Sequence, residues 1–262
     1  MCPSLTDLKL VWGEAQMTQD DVDALDEFLS LTTQLDSLAF HFAGERNHES
    51  SYAAEGFTTV TVEDHPELEF GKETTDRLHI LRSFSVRDDS SRSDGWAWSL
   101  FAQRLGPSLR NIQLKFQNLE RMQLLQIATS SPHLAEAVLA SCYCKDSYAD
   151  VVRFIELDGP SLIRLELRMI EAAVPEADTL SVVFEALARY GKSIEVLRLK
   201  SVSCLNEKDL RVFARPGSLP RLKKLTIGSL DCDFAGQGES AKLSPCQDAI
   251  AAVLESRQTT LD

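Results

Sequence analysis

Long apolar runs are missing from this sequence, and so are the marks of export. No stretch approaches the roughly 18 consecutive apolar residues that a membrane-crossing helix needs. The opening Met-Cys-Pro-Ser-Leu-Thr-Asp holds neither a basic leader nor the apolar run of a signal peptide. Asn47, Asn111, Asn118 and Asn206 all lack the Ser or Thr two residues on that glycosylation requires. Six cysteines in 262 residues are too few for a disulfide scaffold. These absences predict an intracellular protein, cytoplasmic or nuclear.

Positive charge is also short. Lys and Arg number 27 against 40 Asp and Glu, a net charge of -13. Such a surplus repels phosphate backbones and anionic lipid, so neither nucleic acid nor membrane is expected as a main partner. The hydrophobic content, 44%, is enough for a sizeable core.

What is present is a recurring strand pattern. Residues 161 to 169, Ser-Leu-Ile-Arg-Leu-Glu-Leu-Arg-Met, place Leu162, Leu165 and Leu167 in the spacing LxxLxL. On an extended chain Leu165 and Leu167 point to one side while Glu166 and Arg168 point to the other. One such unit cannot bury its apolar side alone, so several must stack.

The chain supplies more of them. Similar triplets are Leu5/Leu8/Leu10, Leu35/Leu38/Phe40, Phe57/Val60/Val62, Leu81/Phe84/Val86, Leu109/Ile112/Leu114 and Leu134/Ala137/Leu139. Ile194/Leu197/Leu199 and Leu222/Leu225/Ile227 follow. Their first members are 22 to 32 residues apart, near the length of a leucine-rich repeat. Phe and Val replace Leu in the third and fourth triplets, which are the weakest of the series.

Between triplets the pattern turns helical. Thr18 to Asp21 carries a cap and acidic first-turn residues, after which Val22, Leu25, Phe28 and Leu29 share a face. Further helices are predicted over 96 to 105, 119 to 128, 147 to 156, 178 to 190, 206 to 214 and 245 to 256, with room for a short one in 63 to 77. Strand and helix in alternation predict an α/β leucine-rich-repeat solenoid, with a curved parallel sheet inside and helices outside. Residues 43 to 56 and 87 to 95 are polar and read as exposed loops at the rim of a binding face.

The openings Pro107-Ser-Leu109, Pro132-His-Leu134, Pro160-Ser-Leu162 and Pro220-Arg-Leu222, followed by LxxLxL and long helical connections, resemble the repeats of F-box proteins, especially fungal ones. In that family an F-box holds a Skp-type adaptor of a cullin ubiquitin ligase and the repeats hold the substrate. The resemblance implies a protein-protein interaction scaffold for substrate recognition. It covers the repeats alone, since no room for an F-box precedes Leu5, and a Skp-type adaptor is expected only if one lies upstream.

The Asn or Cys of regular repeats, nine positions in, is met by Cys142 but replaced by Gly13, Gln117 and Ile170, so looser bends after the strands are expected. The whole of 1 to 262 is expected to form a single irregular repeat domain. Triplets close to both ends suggest a chain cut short or capped by a partner, with a helix at 245 to 256 as the alternative cap.

Outward positions of the strands carry Arg87, Lys115, Arg164, Arg168, Arg198 and Lys200, with Arg110 nearby. On a concave face they would make a basic stripe suited to an acidic or phosphorylated segment, diluted by Glu166 and Glu195. No catalytic, cofactor or metal site is expected. Gly236 to Ala241 fits GxGxxA without the strand and helix it needs, and Cys142, Cys144, Cys204 and Cys232 lack a second paired motif for zinc. His48 has no nucleophile elbow, and Trp96 and Trp98 read as helix anchors. The expectation is a binding scaffold and not an enzyme, either the substrate-recognition part of a ubiquitin ligase or a stand-alone scaffold.

Overall fold

Eight strands lie side by side, all parallel, in the order in which the chain makes them apart from three short strands set elsewhere. The structure is a computed structural model. It describes residues 5–12, 19–32, 34–42, 71–88, 101, 104–115, 118–119, 121–140, 143–144, 148–168, 171–172, 179–200 and 210–227. The main sheet contains β1 (Asp7–Trp12), β2 (Ser37–Phe42), β3 (Ser83–Asp88), β4 (Asn111–Lys115), β6 (Glu136–Ala140), β8 (Arg164–Arg168), β10 (Val196–Lys200) and β11 (Lys224–Ile227). A second parallel sheet is formed by β5 (Asn118–Leu119), β7 (Tyr143–Cys144) and β9 (Glu171–Ala172).

The triplets are in register from end to end. Leu8 pairs with Leu38, then Phe84, Ile112, Ala137, Leu165, Leu197 and Leu225, while Leu10 leads a second rank through Phe40, Val86, Leu114, Leu139, Leu167, Leu199 and Ile227. A side-chain period of two turns both ranks to one face. Helices cover that face: α1 (Gln19–Ser30), α2 (Lys72–Ile80), α3 (Arg121–Ser130), α4 (Ala149–Asp158) and α5 (Thr179–Tyr190), followed by a 3-10 turn at Val212–Ala214. Their inner residues, such as Val22, Leu78, Ile127, Phe154 and Leu187, join one core with the strand leucines.

Rings fill the gaps between repeats. Phe101 lies 4.5 Å from Phe40 and 5.3 Å from Phe84, and Phe184 meets Phe213 edge-on at 5.5 Å, as centroid distances. Where several of the helices turn back into the next strand, small residues let successive turns approach. A Cβ on Gly106 would strike the His79 carbonyl, and one on Gly191 would stand 2.7 Å from Leu219. Ser131, in the corresponding place, donates from its hydroxyl to the Gly106 carbonyl at 3.0 Å.

Several expectations change. The fourth triplet is a full member, as β3. The third, Phe57/Val60/Val62, lies outside the described residues, and β2 pairs directly with β3, so no strand stands between them. Phe28 is 41% exposed: consecutive residues turn about 100° round a helix, which moves it off the face held by Val22, Leu25 and Leu29. The short helix expected within 63 to 77 is α2, several residues later. Of the helix expected over 206 to 214 the described part is Leu210, Arg211 and the 3-10 turn, cut off as Pro216 and Gly217 approach. Shortly after β4, β6 and β8 the chain pairs again in the second sheet, Asn118 with Tyr143 and Tyr143 with Glu171, and Leu119 with Cys144 and Cys144 with Ala172, while the bend positions Gln117, Cys142 and Ile170 lie outside the described residues. Helix 245 to 256 and the loop at 43 to 56 lie outside the described residues; of the loop expected over 87 to 95, Arg87 and Asp88 are instead the end of β3 and the rest lies outside the described residues.

One buried group is out of keeping with the rest. Asp158, the last residue of α4, is 1% exposed, and neither carboxyl oxygen has a hydrogen-bond partner. Its backbone carbonyl is well used, accepting from the Ser161 and Leu162 amides and the Ser161 hydroxyl. Burial pushes the carboxyl up from 3.8 to about 8, so it is protonated at neutral pH.

Two outcomes are expected. Leu167→Ala, at a site 4% exposed, lowers unfolding free energy by about 2 to 5 kcal/mol in urea titrations. For Asp158 the folded value lies above the unfolded one, so its contribution is complete below about 3.8 and is lost as pH rises toward 8, where the unfolded chain alone is ionised until the upper value is passed. Across that window stability of the wild type falls relative to Asp158→Asn by up to about 1.4 kcal/mol per pH unit. Parallel curves for the two proteins between pH 5 and pH 8 would contradict this.

Candidate interaction surface

The face opposite the helices is built from the alternate residues of the same strands, and register sorts them into three rows. The first, at the strand starts, runs through Asp7, Ser37, Ser83, Asn111, Glu136, Arg164, Val196 and Lys224. The middle row runs through Lys9, Ala39, Ser85, Gln113, Val138, Glu166, Arg198 and Thr226. From β2 to β10 the third row reads His41, Arg87, Lys115, Ala140, Arg168 and Lys200. It contains no carboxylate. Neighbouring strands are about 4.8 Å apart, so this row extends for about 24 Å.

The six cations expected to form one stripe therefore divide. Arg87, Lys115, Arg168 and Lys200 share the third row, Arg198 stands in the middle row and Arg164 in the first. Residues two and four apart on a strand do face the same way, but each pair of residues adds nearly 7 Å along it. Arg164 is accordingly about 13 Å from Arg168 at the backbone, and it pairs with Glu136 at 3.5 Å. Arg110, beside the sheet, donates to the carbonyls of Pro107 and Leu109 at 3.0 and 3.1 Å.

Glu166 is the electrostatic centre of the β8 and β10 end. One oxygen lies 2.9 Å from Lys200 Nζ and the other 3.3 Å from Arg198 Nη1. Its side chain is only 14% exposed, against 36% for Lys200 and 44% for Arg198. Burial alone would raise its pKa, but the hydrogen bonds and charges of Lys200 and Arg198 outweigh that and hold it below the ordinary value. Arg168, exposed on the same strand, makes no ion pair among the described residues.

Cross-repeat pairs also mark the edge where strands begin: Arg82 with Asp36 at 3.7 Å and Lys223 with Glu195 at 2.8 Å. Both are well exposed and are worth little to stability. His41 was visible in the sequence only as one of several scattered histidines. Its place directly after the last apolar residue of the second triplet is the signal that puts it in the third row.

Among the described residues no three His, Cys, Asp or Glu side chains come together to hold a metal. Cys142, Cys204, Cys232, His48, Trp96, Trp98 and the segment 236 to 241 lie outside the described residues. No helix in the described residues is long and apolar enough to cross a membrane.

No model of a known protein family matches the chain, and no curated protein matches it. Among solved structures the chain is similar to the leucine-rich repeat-containing protein LegL7 from Legionella pneumophila, at 10% identity and a TM-score of 0.29, over 95% of this chain and 97% of that one. The fold itself, an α/β solenoid of the leucine-rich-repeat kind, rests on the eight registered strands and the helices that cover one side of them.

Proposed function

We propose that the protein is a binding scaffold that takes a protein partner on the open face of its sheet, without chemistry of its own. The observation that carries this reading is the third row, which places Arg87, Lys115 and Arg168 on strands of one sheet with no carboxylate among them, in a chain of net charge -13. In a protein this acidic, a row of one sign marks a place where negative charge is accepted. The cations are spread one to a strand and do not converge on one point. That spacing suits an extended partner segment rich in Asp and Glu better than a single phosphate, which calls for several donors around it.

The resemblance of the repeats to those of F-box proteins makes substrate recognition for a ubiquitin ligase the finer form of this proposal. A stand-alone scaffold with no ligase link is the other form. Capture of a Skp-type adaptor by the endogenous protein separates the two.

The face itself is tested with a labelled eight-residue glutamate peptide and a serine-phosphorylated peptide of the same length. Lys115→Glu with Arg168→Glu weakens binding of the glutamate peptide by about tenfold or more, and added salt weakens the wild-type complex. Unchanged affinity in a variant that melts like the wild type would sink the proposal, and a preference for the phosphopeptide would replace the carboxylate partner by a phosphorylated one.

A further inference from the structure

The two ends of the main sheet carry matching halves of one unfinished contact. Within the sheet, the carbonyl just ahead of a strand accepts from two successive amides of the next repeat, as Glu195 does from Lys223 at 2.7 Å and from Lys224 at 2.9 Å. At the β11 end the corresponding acceptor is the Lys223 carbonyl, and at the β1 end the corresponding donors are the Thr6 and Asp7 amides. None of the three is engaged in such a contact among the described residues. The apolar ranks end in the same way. Leu38, Phe84 and Leu197 are fully buried, whereas Leu8 and Leu10 on β1, and Leu225 and Ile227 on β11, are only partly buried. Charge divides between the ends as well. From Arg211 to Ile227 there are five Lys or Arg and no Asp or Glu, while α1 holds five Asp or Glu and no Lys or Arg. Asp7 and Lys224, both exposed, hold the same place in their strands, at the two ends of the first row.

We propose that the β11 edge of one copy of this chain docks on the β1 edge of a second copy, parallel and in register, so that the repeats run on from one molecule into the next. An edge strand offers a row of backbone groups ready for such pairing. The Lys223 carbonyl accepts from the Thr6 and Asp7 amides of the second copy, Leu225 and Ile227 meet its Leu8 and Leu10, and Lys224 faces its Asp7. Glu136 and Arg164 are register partners in the same row and join at 3.5 Å, which is the arrangement Lys224 and Asp7 repeat between copies. The contact uses a different edge on each copy, so every pair formed still has one edge of each kind to offer. A two-fold pairing of β1 with β1 runs antiparallel and leaves the Lys223 carbonyl without its donors. The net charge of -13 opposes association at a distance, but at about 0.15 M salt that repulsion is screened beyond about 8 Å, and the ends that meet differ in sign.

Sedimentation velocity of the full chain tests this at about 0.15 M salt over about a hundredfold range of concentration. The wild type moves from monomer through dimer to larger species as concentration rises. Asp7→Lys and Lys224→Asp each weaken association about fivefold or more, because each sets like charges opposite one another. Mixing the two variants restores wild-type association, since each then meets the other with opposite charge at both ends. Asp7→Arg and Lys224→Glu serve as a second pair should either change disturb folding, with thermal melting as the check on all four. A protein that stays monomeric throughout has these edges closed by another segment of the chain or kept for a different partner, and that result overturns the proposal. Association that neither variant weakens, or that the mixture does not restore, uses some other surface and overturns it equally.

Discussion

The structure depends on one repeated backbone contact. Just ahead of each strand, a carbonyl accepts from two successive amides of the next repeat: Thr6 from Asp36 and Ser37, Asp36 from Arg82 and Ser83, Arg82 from Arg110 and Asn111. Arg110, Ala135, Ile163 and Glu195 continue the series with the same pattern. Because the contact involves backbone alone, it tolerates any residue other than proline at the donor places. It also sets the register, since once two amides share a carbonyl the strands beyond it can pair in only one alignment. A slip of one residue would turn every leucine of a strand outward. The two apolar ranks and the three outer rows are both consequences of that alignment.

Much of this was legible in the amino-acid order because burial on one side of a strand leaves a period of two. Leu165 and Leu167 at 1% and 4% exposure are where the LxxLxL spacing puts them. The same spacing misled at Phe57, Val60 and Val62, where apolar residues at the right intervals have no place between β2 and β3. Sequence intervals alone cannot distinguish a long connection from a degenerate repeat. The second sheet left no trace, since two-residue strands such as Tyr143–Cys144 are held by backbone pairing and need no side-chain pattern. Asp158 was equally hidden: an acidic residue at a helix end reads as solvent-facing, and only the stacking of neighbouring repeats buries it.

The candidate surface was half legible. Period two found the cations that face outward, but not their heights along the strands, because height is set by register with strands far away in sequence. Arg164 and Arg168 are four residues apart and alike in chemistry, yet one is tied to Glu136 and the other lies in a row free of carboxylates. Glu166, between them in sequence, looked like dilution of a basic stripe. In the structure it is joined to Arg198 and Lys200, and its charge has a local address.

The tight turns at Gly106, Ser131 and Gly191 make the two edges of the solenoid unequal. From each of the five α-helices to the strand that follows the chain spends two to six residues, and close backbone approaches leave little slack there. From strand to helix it spends from 5 residues, after β4, to 29, after β2. Length can therefore be added or removed on one margin without moving any strand. That margin is the one beside the third row, so the fold leaves growth and divergence of the chain next to the surface where recognition is proposed, and keeps its spine unchanged.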